Sequence, residues 1–254
     1  MEDAVLVEHR NGIAIITINR PQVRNAVNRA VTLAVAAAVD ELDDRPDLTL
    51  GILTGAGGTF CAGMDLKAFL AGEETGLAGR GLAGICQRPP RKPMIAAVEG
   101  WALAGGFEIA LACDLIVAAE NATFGIPEVK RGLIAGAGGL LRLPRRLPPA
   151  IAMELALTGD PLSAPDAHRY GLVNTVTAPG GALDGALALA ARISANGPMA
   201  VAGSREILSN ATDWSIEEGF VRQEAILAPI IISADAHEGA LAFAEKRPPQ
   251  WTGR

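Results

Sequence analysis

The chain has 254 residues, half of them apolar but only 4% aromatic, with 20% charged and a formal net charge of −6. That length and composition give one large domain, or a domain with an appendage, around a core of Ala, Val, Leu and Ile, and exclude a disordered chain. The acidic balance argues against nucleic acid, which needs a basic face, but an anionic small ligand held by a few local cations fits. Cys61, Cys86 and Cys113 have no metal-ligand spacing and read as reduced thiols of a cytoplasmic protein. Met1-Glu2-Asp3 lacks a signal peptide's basic stretch. The apolar run 109–119 is broken by Asp114 and is too short to span a bilayer, so no membrane is expected.

In chain order, residues 4–9 and 13–18 read as two strands joined at Asn11-Gly12, a strong hairpin signal. A helix is predicted over about 27–43, because Val31, Val35, Val39 and Leu42 share one face and Pro46 stops it. Residues 48–54 form a short buried strand ending in Gly55-Ala56-Gly57-Gly58. The stretch 72–84, rich in glycine and charge, is expected to be a mobile loop or weak helix. Residues 93–98 are strand-like again, followed by a helix opening at Gly105 and a strand over 115–118. Strand, glycine turn, helix and strand therefore recur, which implies βαβ-type units. Beyond about residue 138 the pattern is helical apart from a short strand near 172–176. From 196 onward apolar residues cluster at helical spacing (Ile207 and Leu208; Trp214, Ile216 and Phe220; Ile226 and Leu227), so this region is expected to fold back or to pack on another subunit.

Two glycine turns and two glutamates carry the chemical interest. In the segment from Thr59 to Lys67, a turn at Ala62-Gly63-Met64 leads toward a helix whose first N–H groups point outward. The segment can hold an oxyanion or be a plain strand-to-helix turn. Gly105-Gly106 has the same anatomy, and two such turns facing each other would aim a pair of donors at one oxygen. Neither Gly55-Ala56-Gly57-Gly58 nor Gly136-Ala137-Gly138-Gly139 completes a dinucleotide fingerprint, and no phosphate-binding loop is present. Glu108 lies among apolar residues in the first turn of its helix, a place that structure and catalysis both explain. Glu128 precedes Lys130 and Arg131 and, taken alone, reads as a surface charge. His9, His168 and His237 are scattered without metal-ligand spacing, so no metal is expected. Cys61 has no histidine near it in sequence and reads as a buried thiol.

The ordered set of these segments resembles the crotonase (enoyl-CoA hydratase/isomerase) superfamily over essentially the whole chain. The residues that carry the resemblance are Asn19-Arg20-Pro21 with Asn25-Ala26, Phe60-Cys61-Ala62-Gly63-Met64-Asp65-Leu66, the stretch from Lys92 to Glu108, Phe124-Gly125-Ile126-Pro127-Glu128, Gly136-Ala137-Gly138-Gly139 and Phe243-Ala244-Glu245-Lys246-Arg247. Some details, such as Leu141-Arg142-Leu143-Pro144 and Leu147-Pro148-Pro149-Ala150-Ile151, look more like the crotonobetainyl-CoA (carnityl-CoA) hydratase branch. Ala104, Glu99 and Ala135 depart from the residues common in hydratases, often Gly, Asn and Pro.

The resemblance implies an α/β fold, a ClpP-like spiral of ββα units over 1–195, with a C-terminal helical trimerisation region over 196–254 and trimers commonly paired into hexamers. It implies oxyanion donors at the backbone N–H groups of Met64 and Gly105, acting on the thioester carbonyl of an acyl-CoA. Glu108 and Glu128 would hold one water, Glu108 deprotonating it for attack at Cβ and Glu128 protonating Cα, with either order of roles open. Arg24, Ala26, Ala62, Asp65, Leu66, Lys67 and a Lys246 from a neighbouring subunit are its coenzyme A contacts. No cofactor is expected beyond the coenzyme A of the substrate. The activity implied is 2-enoyl-CoA hydration. The alternatives are a double-bond isomerase, a crotonobetainyl-CoA hydratase or, in a different class, a non-catalytic acyl-CoA-binding protein.

Overall fold

The tight turn at Asn11-Gly12, with φ of +51° and +78°, joins β1 (Val5–Arg10) to β2 (Ile13–Ile18) as an antiparallel pair. Positive φ at both central residues matches the twist of the flanking strands, which is why Asn-Gly is favoured there. The computed structural model describes residues 3–254, so the acidic start read at Met1-Glu2 lies outside it.

The main sheet has six strands in the order β1-β2-β3-β6-β8-β11, where β3 is Leu50–Gly55, β6 Met94–Val98, β8 Leu115–Ala119 and β11 Thr175–Thr177. All pairs after the first are parallel. Both faces of the central strands β2, β3, β6 and β8 are covered, as parallel sheets require. Alternation along β2 shows how: Ile13 and Ile15 pack with Leu50, Ile52 and Ile95 under Ala182, Ala186 and Ala190 of a helix at Ala182–Ser194, while Ala14, Ile16 and Ile18 face the larger core cluster. Small alanines at every fourth position let that helix lie close to the strands.

A second, smaller layer is built from the chain just after each strand of the sheet. There β7 (Trp101–Leu103) pairs in parallel with β9 (Thr123–Gly125), and β9 pairs with β10 (Leu162–Ser163). Isolated bridges Cys61↔Ala102 and Val27↔Met64 continue the layer backwards. Each turn of the chain therefore places one strand in the sheet, one extended segment in the second layer and then a helix. Those helices are α1 (Arg29–Asp44), α2 (Leu66–Leu70) and α3 (Gly105–Ala112), while β9 runs on into a 3₁₀ turn at Pro127–Arg131. This is the ββα spiral.

Residues 72–84 differ from the expectation of a mobile loop or weak helix. They include two short strands, β4 (Gly76–Leu77) and β5 (Gly81–Leu82), paired antiparallel. The Arg80 residue is 9% exposed, its guanidinium donating from Nε to Gly84 O at 3.0 Å and from Nη1 to Asp40 at 2.6 Å. Glycine and charge in this stretch serve tight turns and a clamp, which composition alone does not distinguish from flexibility.

After α4 (Gly139–Arg146), α5 (Pro149–Thr158), α6 (Ala164–Arg169) and α7 (Ala182–Ser194), the chain forms α8 (Pro198–Asn210), α9 (Ile216–Ile231) and α10 (Ala234–Glu245). Arg205 of α8 donates from Nε to Asp114 at 2.7 Å, and Trp251 Nε1 donates to Ala195 O at 2.9 Å, so the tail returns to the core. By contrast α9 buries no residue, and Ile216, Phe220, Val221 and Ile231 stay exposed together with Phe243 of α10. Among the described residues no single helix is long and apolar enough to cross a membrane.

Candidate active site

Three glycines let the chain converge on one place. Gly63 has φ of +98°, and a Cβ there would lie 2.9 Å from that of Ala104 and 3.0 Å from Gly105 N. At Gly106 a Cβ would fall 2.0 Å from Cys61 O, so only hydrogen allows α3 to approach the strand. Gly139 is pressed by a carboxylate: its Cβ would stand 3.1 Å from Glu108 Oε1.

The first turn is held by backbone pairing. Val27 N donates to Gly63 O and Asp65 N to Val27 O, each at 2.8 Å, so the Met64 N–H between them points the other way. The N–H of Gly105, at the first position of α3, has no intrahelical acceptor by its place in the helix. Among the described residues neither amide has a hydrogen-bond acceptor. They are neighbours, because a Cβ on Gly105 would be 3.6 Å from Met64 N. Ala104 caps α3 at φ +51° and ψ −129°, a conformation that glycine adopts freely and alanine only under strain. Its N–H donates to Gly125 O at 2.8 Å, which ties the start of α3 to the end of β9.

Glu108 stands one turn into α3 and is only 3% exposed. Its Oε1 accepts from Ala137 N at 2.7 Å and Gly139 N at 2.8 Å, the latter the first amide of α4, so a helix N-terminus faces the carboxylate. Burial pushes its pKa up, as does the charge of Glu128, while the two amides and Arg142 work against that rise. Glu128, second residue of the 3₁₀ turn, has a buried Oε2 without a hydrogen-bond partner. Burial raises its pKa too, opposed by Arg131. The surface-charge reading of Glu128 is therefore overturned: no ion pair forms with Lys130, which bonds Asp160 at 2.6 Å instead. Phe107 and Phe124, with ring centroids 5.3 Å apart, pack the stretches that carry the two glutamates against each other.

Cys61 is buried, its thiol is pushed up to about 12 by desolvation, and its Sγ accepts from Gly63 N at 3.3 Å. It braces the turn as a neutral thiol rather than acting as a nucleophile.

The other candidates line up beside the same turn. Ala62 N donates to Arg24 O at 3.0 Å, which brings residues 24–27 alongside 62–65 and so gathers Arg24, Ala26, Ala62 and Asp65. The Arg24 guanidinium lies over the Trp101 ring, 4.6 Å from its centroid. Asp65 is engaged internally, capping α2 through Lys67 N and Ala68 N and pairing with Arg20 at 3.0 Å. Leu66 and Lys67 are exposed on α2. Lys246 is not brought to this group: it is exposed at the C-terminal cap of α10, φ +55°, at the far end of the chain. Sequence reasoning missed Ala137 and Gly139 as partners of Glu108, although paired glycines at a helix start were the signal for an amide cradle. Among the described residues there is no cluster of His, Cys, Asp and Glu that could hold a metal ion.

A family model described as enoyl-CoA hydratase/isomerase matches residues 8–254. The chain belongs to the enoyl-CoA hydratase/isomerase family. It is 43% identical to carnitinyl-CoA dehydratase of Salmonella arizonae over 96% of this chain and 97% of that one. The solved structure of an enoyl-CoA hydratase from Mycobacterium tuberculosis H37Rv superposes with a TM-score of 0.98 at 61% identity, covering all of both chains. That of carnitinyl-CoA hydratase from Mycobacterium avium gives 0.81 at 48% identity, again over all of both chains. The crotonase fold implied by the sequence motifs is the fold observed.

Proposed function

We propose that Glu108 and Glu128 hold one water between them and add it across the double bond of a 2-enoyl-CoA. The protein is a hydro-lyase of the enoyl-CoA hydratase type, and acyl-CoA thioesters are its substrates. The observation that carries the division of labour is the inequality of the two carboxyl groups. Glu108 has one oxygen fixed by two amides, which favour the ionised form, and its other oxygen is free to take a proton from water. Glu128 has a buried oxygen with no partner, which favours the protonated form. As the water oxygen bonds to Cβ, its proton passes to Glu108 and the double-bond electrons move onto the thioester as an enolate. Glu128 then gives its proton to Cα, and return of the proton from Glu108 to Glu128 through water closes the cycle.

The N–H groups of Met64 and Gly105 would receive the enolate oxygen. Removing one donor of this kind raises the barrier by about 3–4 kcal/mol, because the donors are already aimed when charge develops. Arg24, Ala26, Ala62, Leu66 and Lys67 form the coenzyme A strip beside that turn. Asp65 has its N–H and carboxylate committed, so its share is to hold the strip in place. The division into a core over 1–195 and an oligomerisation region over 196–254, with a trimer or paired trimers, is supported by the uncovered apolar faces of α9 and α10. In such an assembly Lys246 would serve a neighbour's site. Three free buried cysteines suit a cytoplasmic location.

A crotonobetainyl-CoA hydratase is the second reading, favoured by the carnitinyl-CoA names of several relatives. Turnover on crotonyl-, longer enoyl- and crotonobetainyl-CoA, with the products identified, separates the two. A preference of kcat/KM for crotonobetainyl-CoA would replace the first reading by the second.

A further inference from the structure

Residues 75–87 are fixed from two sides. Thr32 of α1 donates from Oγ1 to Thr75 O at 2.6 Å, and Arg142 of α4 donates from Nη2 to Cys86 O at 2.6 Å. Within the segment, Gln87 N donates to Arg80 O at 2.8 Å, alongside the Arg80 clamp on Gly84 and Asp40. Gly84, at φ +66°, lies so near α1 that a Cβ would stand 2.6 Å from that of Ala36. A segment tied in this way yields little to a ligand.

On β5 of this segment, Leu82 reaches the site. Its Cδ2 lies 2.4 Å from the position that a Cβ on Gly105 would take, so the leucine methyl covers the space beside Gly105. Glu108 is three residues further along α3, on the same face one turn on. A thioester with its carbonyl oxygen at the Gly105 amide and its Cβ toward Glu108 therefore places Cα next to Leu82.

We propose that Leu82 is a specificity-determining residue that limits bulk at the α-carbon, so the site takes 2-enoyl thioesters unsubstituted at Cα and discriminates against those with a 2-methyl branch. This rests on reading Gly105 as an oxyanion donor in a hydratase. A methyl group that meets a fixed wall is discriminated by roughly 10- to 200-fold.

The test measures hydration of crotonyl-CoA and (E)-2-methylcrotonyl-CoA by the full-length wild type and Leu82→Ala, with trans-2-decenoyl-CoA as a control for chain length. The wild type should prefer crotonyl-CoA in kcat/KM by about tenfold or more. In Leu82→Ala that preference should fall by about tenfold through a gain on the branched substrate, with the decenoyl-to-crotonyl ratio moving less than about threefold. An unchanged branched-to-crotonyl ratio, or a change confined to decenoyl-CoA, overturns the proposal. Leu82→Val loses less volume and decides the matter if alanine unsettles the hairpin: it should shift the ratio in the same direction by a smaller factor. A wild type that hydrates crotonyl-CoA while both variants keep its preference sinks the role of Leu82 alone. A wild type that hydrates no enoyl-CoA sinks the hydratase reading and this proposal with it.

Discussion

Glu108 and Glu128 differ in what surrounds each oxygen, and that difference predicts how their amides behave. Glutamine at 108 can still accept from Ala137 N and Gly139 N, so Glu108→Gln should keep the local geometry and lose only the proton acceptor. Hydration of crotonyl-CoA by Glu108→Gln or Glu128→Gln should fall about 10²–10⁴-fold in kcat, with a smaller change in KM, as expected when a proton-transfer group is removed. Steady-state kinetics on the purified variants check this. Glu128 also sets a stability prediction. Its folded pKa is raised above the ordinary 4.5 by burial, so the native state binds the proton more tightly than the unfolded chain does. Stability therefore falls as pH rises from the unfolded pKa through the folded one. Glu128→Gln removes that penalty, so its stability relative to wild type in urea unfolding should improve as pH rises above about 4.5. Its neighbours Lys130 and Arg131 read as a solvated surface, and only the ordered family motifs marked Glu128 as a candidate acid. The orphaned buried oxygen belongs to the folded chain, where the 3₁₀ turn brings Glu128 near enough for its charge to act on Glu108.

At the scale of elements, the site depends on how closely α3 and α4 approach their neighbours. A methyl at Gly139 would stand 3.0 Å from Glu108 Cγ, so Gly139→Ala should displace the carboxylate and cut kcat by about tenfold or more with the fold retained. Parallel kinetics and circular dichroism measure both halves of that statement. Gly106→Ala is a different case, since its Cβ would fall 2.0 Å from a backbone oxygen. It should destabilise the protein by about 2 kcal/mol or more, read as a lowered midpoint in denaturant. The hairpin at Asn11-Gly12 and the helix α1 were legible in the sequence because their signals are local, a turn dipeptide and an apolar stripe. The β4–β5 hairpin was not, because the Arg80–Asp40 pair that shapes it spans 40 positions. The glycines of both oxyanion turns were legible as turns, but their convergence was not. Gly63 and Gly105 are brought together by the pairing of residues 24–27 with 62–65 and of Cys61 with β7, which no spacing along the chain encodes.

For the molecule as a whole, the ordered series of motifs implies the spiral and its family, while the apolar clusters of the C-terminal helices leave two outcomes open. Both occur. Arg205, Trp251 and the α8 packing fold the tail back, yet Phe220 on α9 and Phe243 on α10 remain 66% and 87% exposed. The proposed association of chains would cover these apolar faces. Replacing Phe220 and Phe243 together by Asp should lower the mass seen in light scattering from that of a trimer or hexamer toward that of one chain. An unaltered mass would place the interface elsewhere. The central claim, that two unequal carboxyl groups act on one water above a pair of oxyanion amides, is tested most directly by incubation with crotonyl-CoA in deuterium oxide, with the product analysed by mass spectrometry and NMR. The wild type should form 3-hydroxybutyryl-CoA carrying one deuterium at Cα, and Glu108→Gln and Glu128→Gln should bind acyl-CoA yet form almost none. Deuterium exchange at Cα and Cγ without hydrated product, or undiminished hydration in either variant, would contradict the account.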